Sequence, residues 1–217
     1  MSSIVSDNPT NTTTGTTTTA TGHTHQRLFY LHDLPDFKVH HDDADVRGWK
    51  VKLSTGETVG TVENLIVDKG ARKVRYLEVT GDRNFYKSYG DNGYYLDNDS
   101  GRVYDADHDE HFIVPIGVAR LDHSDNEVYL EGVTTNVLGG IPRYRRGSQL
   151  SPRYEIETLN YLSDNDNEYS SSYNRSMYKD FDSNQYRSLD DGFYTSGYFS
   201  DDRYYNRHEE AISSKGL

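Results

Sequence analysis

The clearest alternation of apolar and polar positions runs from Asp45 to Val79, and it sets the expected fold class. Val46-Arg47-Gly48-Trp49-Lys50-Val51 reads as a strand, Ser54-Thr55-Gly56-Glu57 as a tight turn, and Val59 to Asp68 as a second strand. A turn at Lys69-Gly70 then leads into a third strand, Lys73 to Val79. Connections this short hold no crossover helix, so neighbouring strands are expected to run antiparallel, as a meander closing into a small barrel. In the third strand Leu77 and Val79 share one face and Tyr76 and Glu78 the other, the pattern of a half-buried strand. The spacing Val59, Val62, Leu65, Val67 departs from period two, which predicts a bulge or bend near Gly60.

On either side the pattern is weaker. Leu28-Phe29-Tyr30-Leu31 and Leu34-Pro35-Asp36-Phe37-Lys38-Val39 are expected to lie across one end of the barrel. Asp82 to Asp109 is a polar excursion with one predicted hairpin, Tyr94-Tyr95-Leu96 against Arg102-Val103-Tyr104. His111 to Leu121 and Glu127 to Glu131 complete the sheet, with Pro115, which has no N–H to donate, marking an edge or a kink. Ser151 as N-cap and Pro152 at the first helical position open one short helix, with Ile156 and Leu159 on its stripe.

Composition limits how much of the chain packs. Only 33% of the 217 residues are hydrophobic, and mean hydropathy is −0.89. The apolar residues therefore support one core rather than two. Thr10 to Thr24 holds nothing apolar except Ala20, and from Ser163 onward Tyr, Ser, Asn, Asp and Arg dominate, with aromatics recurring from Tyr169 to Tyr205. Neither stretch has the aliphatic content to offset its ordering entropy. The expected organisation is a disordered lead-in over 1–26, a barrel domain over 27–146 with its core near 46–133, a short helix over 147–162 and a disordered tail over 163–217.

Charge and cysteine count exclude several functions. A net charge of −12 argues against nucleic acid, whose affinity comes from Lys and Arg displacing counterions, and against an acidic membrane surface. Cysteine is absent, so there is no disulfide, thiolate metal site or Cys nucleophile. Without a leader-like or transmembrane segment, a cytoplasmic location is expected.

Four segments in order resemble the PRC-barrel domain, the small β-barrel named for the cytoplasmic domain of the photosynthetic reaction-centre H subunit. They are Asp45-Val46-Arg47-Gly48-Trp49, Val59 to Asp68, Val74-Arg75-Tyr76-Leu77-Glu78-Val79, and Val114 to Asp122. The lead-in Leu34-Pro35-Asp36-Phe37 and the tail Pro142-Arg143-Tyr144 look like the extensions of bacterial stand-alone members. The resemblance implies an all-β fold, a small antiparallel PRC-type barrel with short flanking helical segments, and no shared catalytic residues.

Residues of chemical interest have plain readings. His40-His41-Asp42-Asp43 and His108-Asp109-Glu110-His111 offer metal-ligand types but sit in predicted loops or strand starts, so they are read as solvated. Asp97-Asn98-Asp99-Ser100-Gly101 begins like a calcium loop, yet position six is Arg102 and position twelve His108, so it reads as a β-turn. Asp105 to Glu110 is likewise left without a metal. Trp49 is read as a plug in the core or at the barrel end rather than a ligand platform. The basic run Arg143, Arg145, Arg146 suits either an acidic surface or pairing with the acidic tail.

No catalytic, cofactor or metal residues are assigned. The expected function is a non-catalytic binding or assembly module, with a protein partner or self-association through the barrel surface and the Tyr-rich tail. The tail's spaced aromatics and arginines suit weak multivalent contacts, and a solubilising role is the plain alternative. Two other classes stay open: an accessory of photosynthetic reaction-centre electron transfer, and a small metal-binding enzyme.

Overall fold

The computed structural model describes residues 4–6, 26–85, 94–96, 103–105, 111–144, 146, 148–165, 173–178, 188–202 and 204. The strands are β1 (Ile4–Ser6), β2 (Leu28–Tyr30), β3 (Phe37–Val39), β4 (Lys50–Leu53), β5 (Thr58–Asp68), β6 (Lys73–Gly81), β7 (Tyr94–Leu96), β8 (Val103–Asp105), β9 (His111–Pro115), β10 (Ala119–Asp122) and β11 (Glu127–Leu130). The α-helices are α1 (Thr135–Gly140) and α2 (Pro152–Asn165). The fold is mostly β.

The main sheet runs β10-β11-β4-β5-β6-β9, and β2 adds against the C-terminal part of β5. Two expectations need correcting. First, no sheet closes among the described residues: β9 and β10 stand at opposite edges. Pro115 ends β9 without an N–H, and a 3-10 turn over Ile116–Val118 carries the chain away before β10 begins. Second, β11 pairs with β4 in parallel, Glu127 opposite Lys50 and Leu130 opposite Leu53. Short turns dictate direction along β4, β5 and β6, but β11 reaches β4 after a long excursion, which lifts that constraint. The other pairs are antiparallel, including the predicted β7–β8 hairpin, although its turn lies outside the described residues.

The bend near Gly60 is present. Val51 faces Gly60 while Lys52 faces Thr58, so Val59 is the extra residue of a bulge. A Cβ at Gly60 would run into the Thr80 carbonyl and lie 2.8 Å from Val79, so only glycine allows β5 and β6 this close. Two further register shifts leave Glu63 in β5 and Arg75 in β6 without opposite numbers. Bulges of this kind re-aim a side chain, and Arg75 matters below. Val46 to Trp49 forms a turn rather than the start of β4, closed by the Trp49 amide donating to the Val46 carbonyl.

β6 departs from the half-buried pattern because both of its faces are covered. On one, Leu77 lies opposite Leu65 and Val114, and Val79 opposite Val62 and Phe112, all inside the apolar core. On the other, Tyr76 is buried under α2 and the C-terminal segment, and Glu78 is buried beside Tyr144. The reading of 163–217 as disordered therefore fails for Tyr173–Tyr178 and for the 3-10 turns Phe193–Thr195 and Gly197–Phe199. There Tyr173, Tyr178, Phe193, Tyr194, Tyr198 and Phe199 are buried in a lattice of edge-on and stacked rings. The lead-in is corrected too, since Ile4–Ser6 pairs with Phe37–Val39 and Ile4 is buried. Thr10 to Thr24 lies outside the described residues.

Candidate functional site

The side of β6 that turns away from the aliphatic core carries the molecule's densest polar chemistry. α2 begins where Ser151 Oγ accepts from the Tyr154 amide at 3.2 Å. One turn in, the helix lays Glu155 over β6. Glu155 Oε2 accepts from the Tyr76 hydroxyl at 2.9 Å and from the Tyr194 hydroxyl at 2.7 Å. Burial pushes the Glu155 carboxyl up to about 7, against the pull of the two tyrosine hydrogen bonds and of Arg27 and Arg75. Both tyrosine hydroxyls are raised well above their usual range, first by burial and then by the Glu155 charge.

Two arginines complete this cluster. The bulge swings Arg75 onto Asp68, Nη2 to Oδ2 3.3 Å, and Arg27 reaches the same oxygen from the start of β2 through Nε at 2.7 Å. The guanidiniums of Arg27 and Arg75 lie 4.5 and 4.7 Å from the Tyr194 ring centroid, within cation–π range. Arg27 also pairs with Asp191 at 2.7 Å and donates to the Leu189 carbonyl. A shallow pocket of about 590 Å³ opens beside this pair, lined by Arg27, Phe29, Asp68, Lys69 and Asp191 among others.

The C-terminal segment is held by sterics as well. The Phe199 ring meets Tyr76 edge-on at 5.3 Å. The turn Gly197–Phe199 packs on the turn Ile116–Val118, where the sheet fails to close. A Cβ on Gly117 would collide with the Gly197 carbonyl and sit 2.7 Å from the backbone of Tyr198. The absent side chain is what admits the segment.

A second polar cluster lies further along the same face. Glu78 accepts from the Tyr144 hydroxyl at 2.5 Å, His111 Nε2 lies 3.0 Å from Thr80 Oγ1, and Asn64 bonds to His32. Burial raises the Glu78 carboxyl, partly offset by Tyr144. Asn64, Glu78, His111 and Tyr144 are buried, whereas His32 is exposed.

The sequence candidates scatter. His40, His41 and Asp42 do converge, their ligand atoms within 4.8 Å of one another, in the turn after β3, with His40 half-buried and the other two exposed. His111 lies in β9, and His108, Asp109, Glu110 and Asp97 to Gly101 fall outside the described residues. Trp49 is partly buried at the margin of the core, edge-on to His123. Of the basic run, Arg143 is 2% exposed with its guanidinium 5.3 Å from the Phe112 centroid, Arg146 pairs with Glu63, and Arg145 lies outside the described residues. Sequence reasoning missed Arg27, Asp68, Arg75, Glu155 and Gly117. The available signals were an arginine inside an apolar strand, a glutamate beside the helix stripe, and a glycine between Ile116 and Val118.

Residues 38–134 match the family model of the PRC-barrel domain. Residues 38–134 are therefore a PRC-barrel domain. No curated protein matches the chain. The PRC domain supplies Asp68, Arg75, Tyr76 and Gly117, whereas Arg27, Glu155, Tyr194 and Phe199 lie outside the matched residues. Among the described residues, no helix is long and apolar enough to cross a membrane.

Proposed function

We propose that this chain is a non-catalytic assembly module whose PRC domain makes protein–protein contacts in the cytoplasm. One observation carries the reading: the outer face of β6 already accepts a non-domain segment of chain through rings, a buried carboxylate and a close backbone contact at Gly117. Such a surface recognises peptide rather than transforming substrate, and its two carboxylates are engaged by neighbouring side chains. Glu155 is buried under two tyrosine donors, and Asp68 is held by two arginines. Affinity capture of the tagged full-length chain, followed by sedimentation of the purified assembly, tests the proposal. The expected result is a protein partner, or a second copy, at fixed stoichiometry. A chain that stays monomeric, retains no protein and turns over a small molecule would overturn it.

A further inference from the structure

The contacts that hold the C-terminal segment amount to a recognition code, an inference that rests on the reading above and sharpens it. From Asp191 to Phe199 the anchors recur every two or three residues. Asp191 pairs with Arg27 at the rim, and Tyr194 sits beside Arg27 and Arg75 with its hydroxyl on Glu155. Gly197 and Tyr198 lay their backbone on Gly117, and Phe199 meets Tyr76. The receiving side is positive at the rim and aromatic in the middle, with a glycine floor. It complements a segment that reads acidic, then tyrosine, then Gly-Tyr-Phe.

The resident segment fits this surface imperfectly. Ser196 Oγ is buried with no hydrogen-bond partner among the described residues, and an unmatched buried hydroxyl disfavours the bound state. The Asp191 side chain is 92% exposed, so solvent screens its pair with Arg27. Its backbone makes local turns, Tyr194 to Asp191, Thr195 to Gly192, Phe199 to Ser196 and Ser200 to Gly197. It adds no strand to the sheet. The segment is held mainly by its buried rings, Phe193, Tyr194, Tyr198 and Phe199, without a ladder, so a competitor that presents the same rings can take its place.

We propose that the face formed by Arg27, Asp68, Arg75, Tyr76 and Gly117 is a receptor for aromatic peptide, and that Asp190 to Phe199 is its resident intramolecular ligand. A protein partner docks by presenting the same chemistry: an acidic residue, a tyrosine three positions later, and a Gly-Tyr-Phe turn three beyond that. Tethering gives the resident segment a high effective concentration, so it acts as an autoinhibitory strap that yields only to a tighter or multivalent competitor.

A labelled synthetic peptide of residues 188–204 is the probe, titrated against the full-length chain and against full-length Tyr194→Ser/Phe199→Ser, which empties the face. The peptide is expected to bind the double variant at least about tenfold more tightly than the wild type, because the tethered competitor is gone. Adding Gly117→Ala should abolish that binding. Equal affinity for both chains, or no binding to a double variant that circular dichroism shows to be folded, overturns the proposal. A second measurement avoids the variants altogether. In the wild-type chain, a large excess of unlabelled peptide should speed hydrogen exchange at Tyr194, Thr195, Phe199 and Ser200, whereas a peptide with alanine at the positions of Tyr194 and Phe199 should not. Unchanged exchange also overturns it. Either failure leaves the assembly reading standing or falling on its own capture experiment.

Discussion

The two faces of β6 hold their neighbours by different physics. On one face Leu65, Leu77 and Val114 line up across three strands, and Val62, Val79 and Phe112 repeat the row. Stability there comes from apolar area removed from water, which is non-directional and tolerant of volume-conserving change. On the other face Tyr76 and Glu78 meet Glu155, Tyr194 and Tyr144 through hydrogen bonds between buried groups. Such a network is strong only when all its members are present. The aliphatic face builds the domain, and the tyrosine–carboxylate face decides what docks on it.

The sharpest way to break this comparison is to hollow the aliphatic face. Leu77 is fully buried, so Leu77→Ala is expected to cost roughly 2–5 kcal/mol, the transfer term plus a cavity. Because the whole sheet is affected, domain unfolding and release of the C-terminal segment should coincide in a denaturant titration followed by both circular dichroism and tyrosine fluorescence. Separate transitions, or a loss below about 1 kcal/mol, would show that the two faces do not divide the work as described.

The second test isolates the network by its proton. Burial raises Glu155 from 4.5 to about 7, so between these values the folded chain holds a proton that the unfolded chain has released. Stability is then fully present below about pH 4.5 and is lost as pH rises through about 7, by at most about 3 kcal/mol. Glu78, also raised by burial, acts in the same direction. Asp45, Asp122 and Glu127, lowered by their hydrogen-bond partners, lose their stabilisation as pH falls instead. Glu155→Gln keeps the shape and removes the titration. Subtracting its stability profile from the wild type's cancels the other groups, and the variant's relative stability should climb between pH 4.5 and about 7 and level off above that. A flat difference would remove Glu155 from the picture.

The aliphatic face was legible in the sequence and the network was not, for a physical reason. The alternation around Leu77 and Val79 is a local record of which positions face a core, and the bulge near Gly60 follows from a break in it. Arg75 draws no reading from the alternation, because only a register shift in its pairing with β5 swings it onto Asp68. Tyr194 and Phe199 have no aliphatic neighbours in the chain, so composition assigns them to a disordered tail. Their burial depends on Glu155, 39 residues before Tyr194, and on Tyr76 of β6, farther back still, which no window of sequence contains. Closure failed for a related reason: the strands were read correctly in kind, but Pro115 and the turn after it settle whether β9 can meet β10.

Gly117→Ala sharpens the comparison by touching only the contact between the faces' occupants. The added methyl meets the backbone of Gly197 and Tyr198, and overpacking of that kind costs about 1–3 kcal/mol. Hydrogen exchange should show Phe199 and Ser200 losing protection while amides of β5 and β6 keep theirs. Equal loss in both would mean that the segment is part of the domain core rather than a docked strap.

The smallest expected effect separates the hydroxyl of Tyr194 from its ring. Tyr194→Phe removes one donor to Glu155 and leaves the ring beside Arg27 and Arg75, so docking should weaken by only about 1 kcal/mol. That hydrogen bond pulls the Glu155 carboxyl down, so its loss should move the pH at which stability declines upward, even though the protein is less stable at every pH above it. A pH series of denaturant melts on the variant reads both quantities at once. A downward midpoint shift would mean that the arginines move closer to Glu155 once the hydroxyl is gone, and the carboxylate rather than the ring would then be what holds the strap in place.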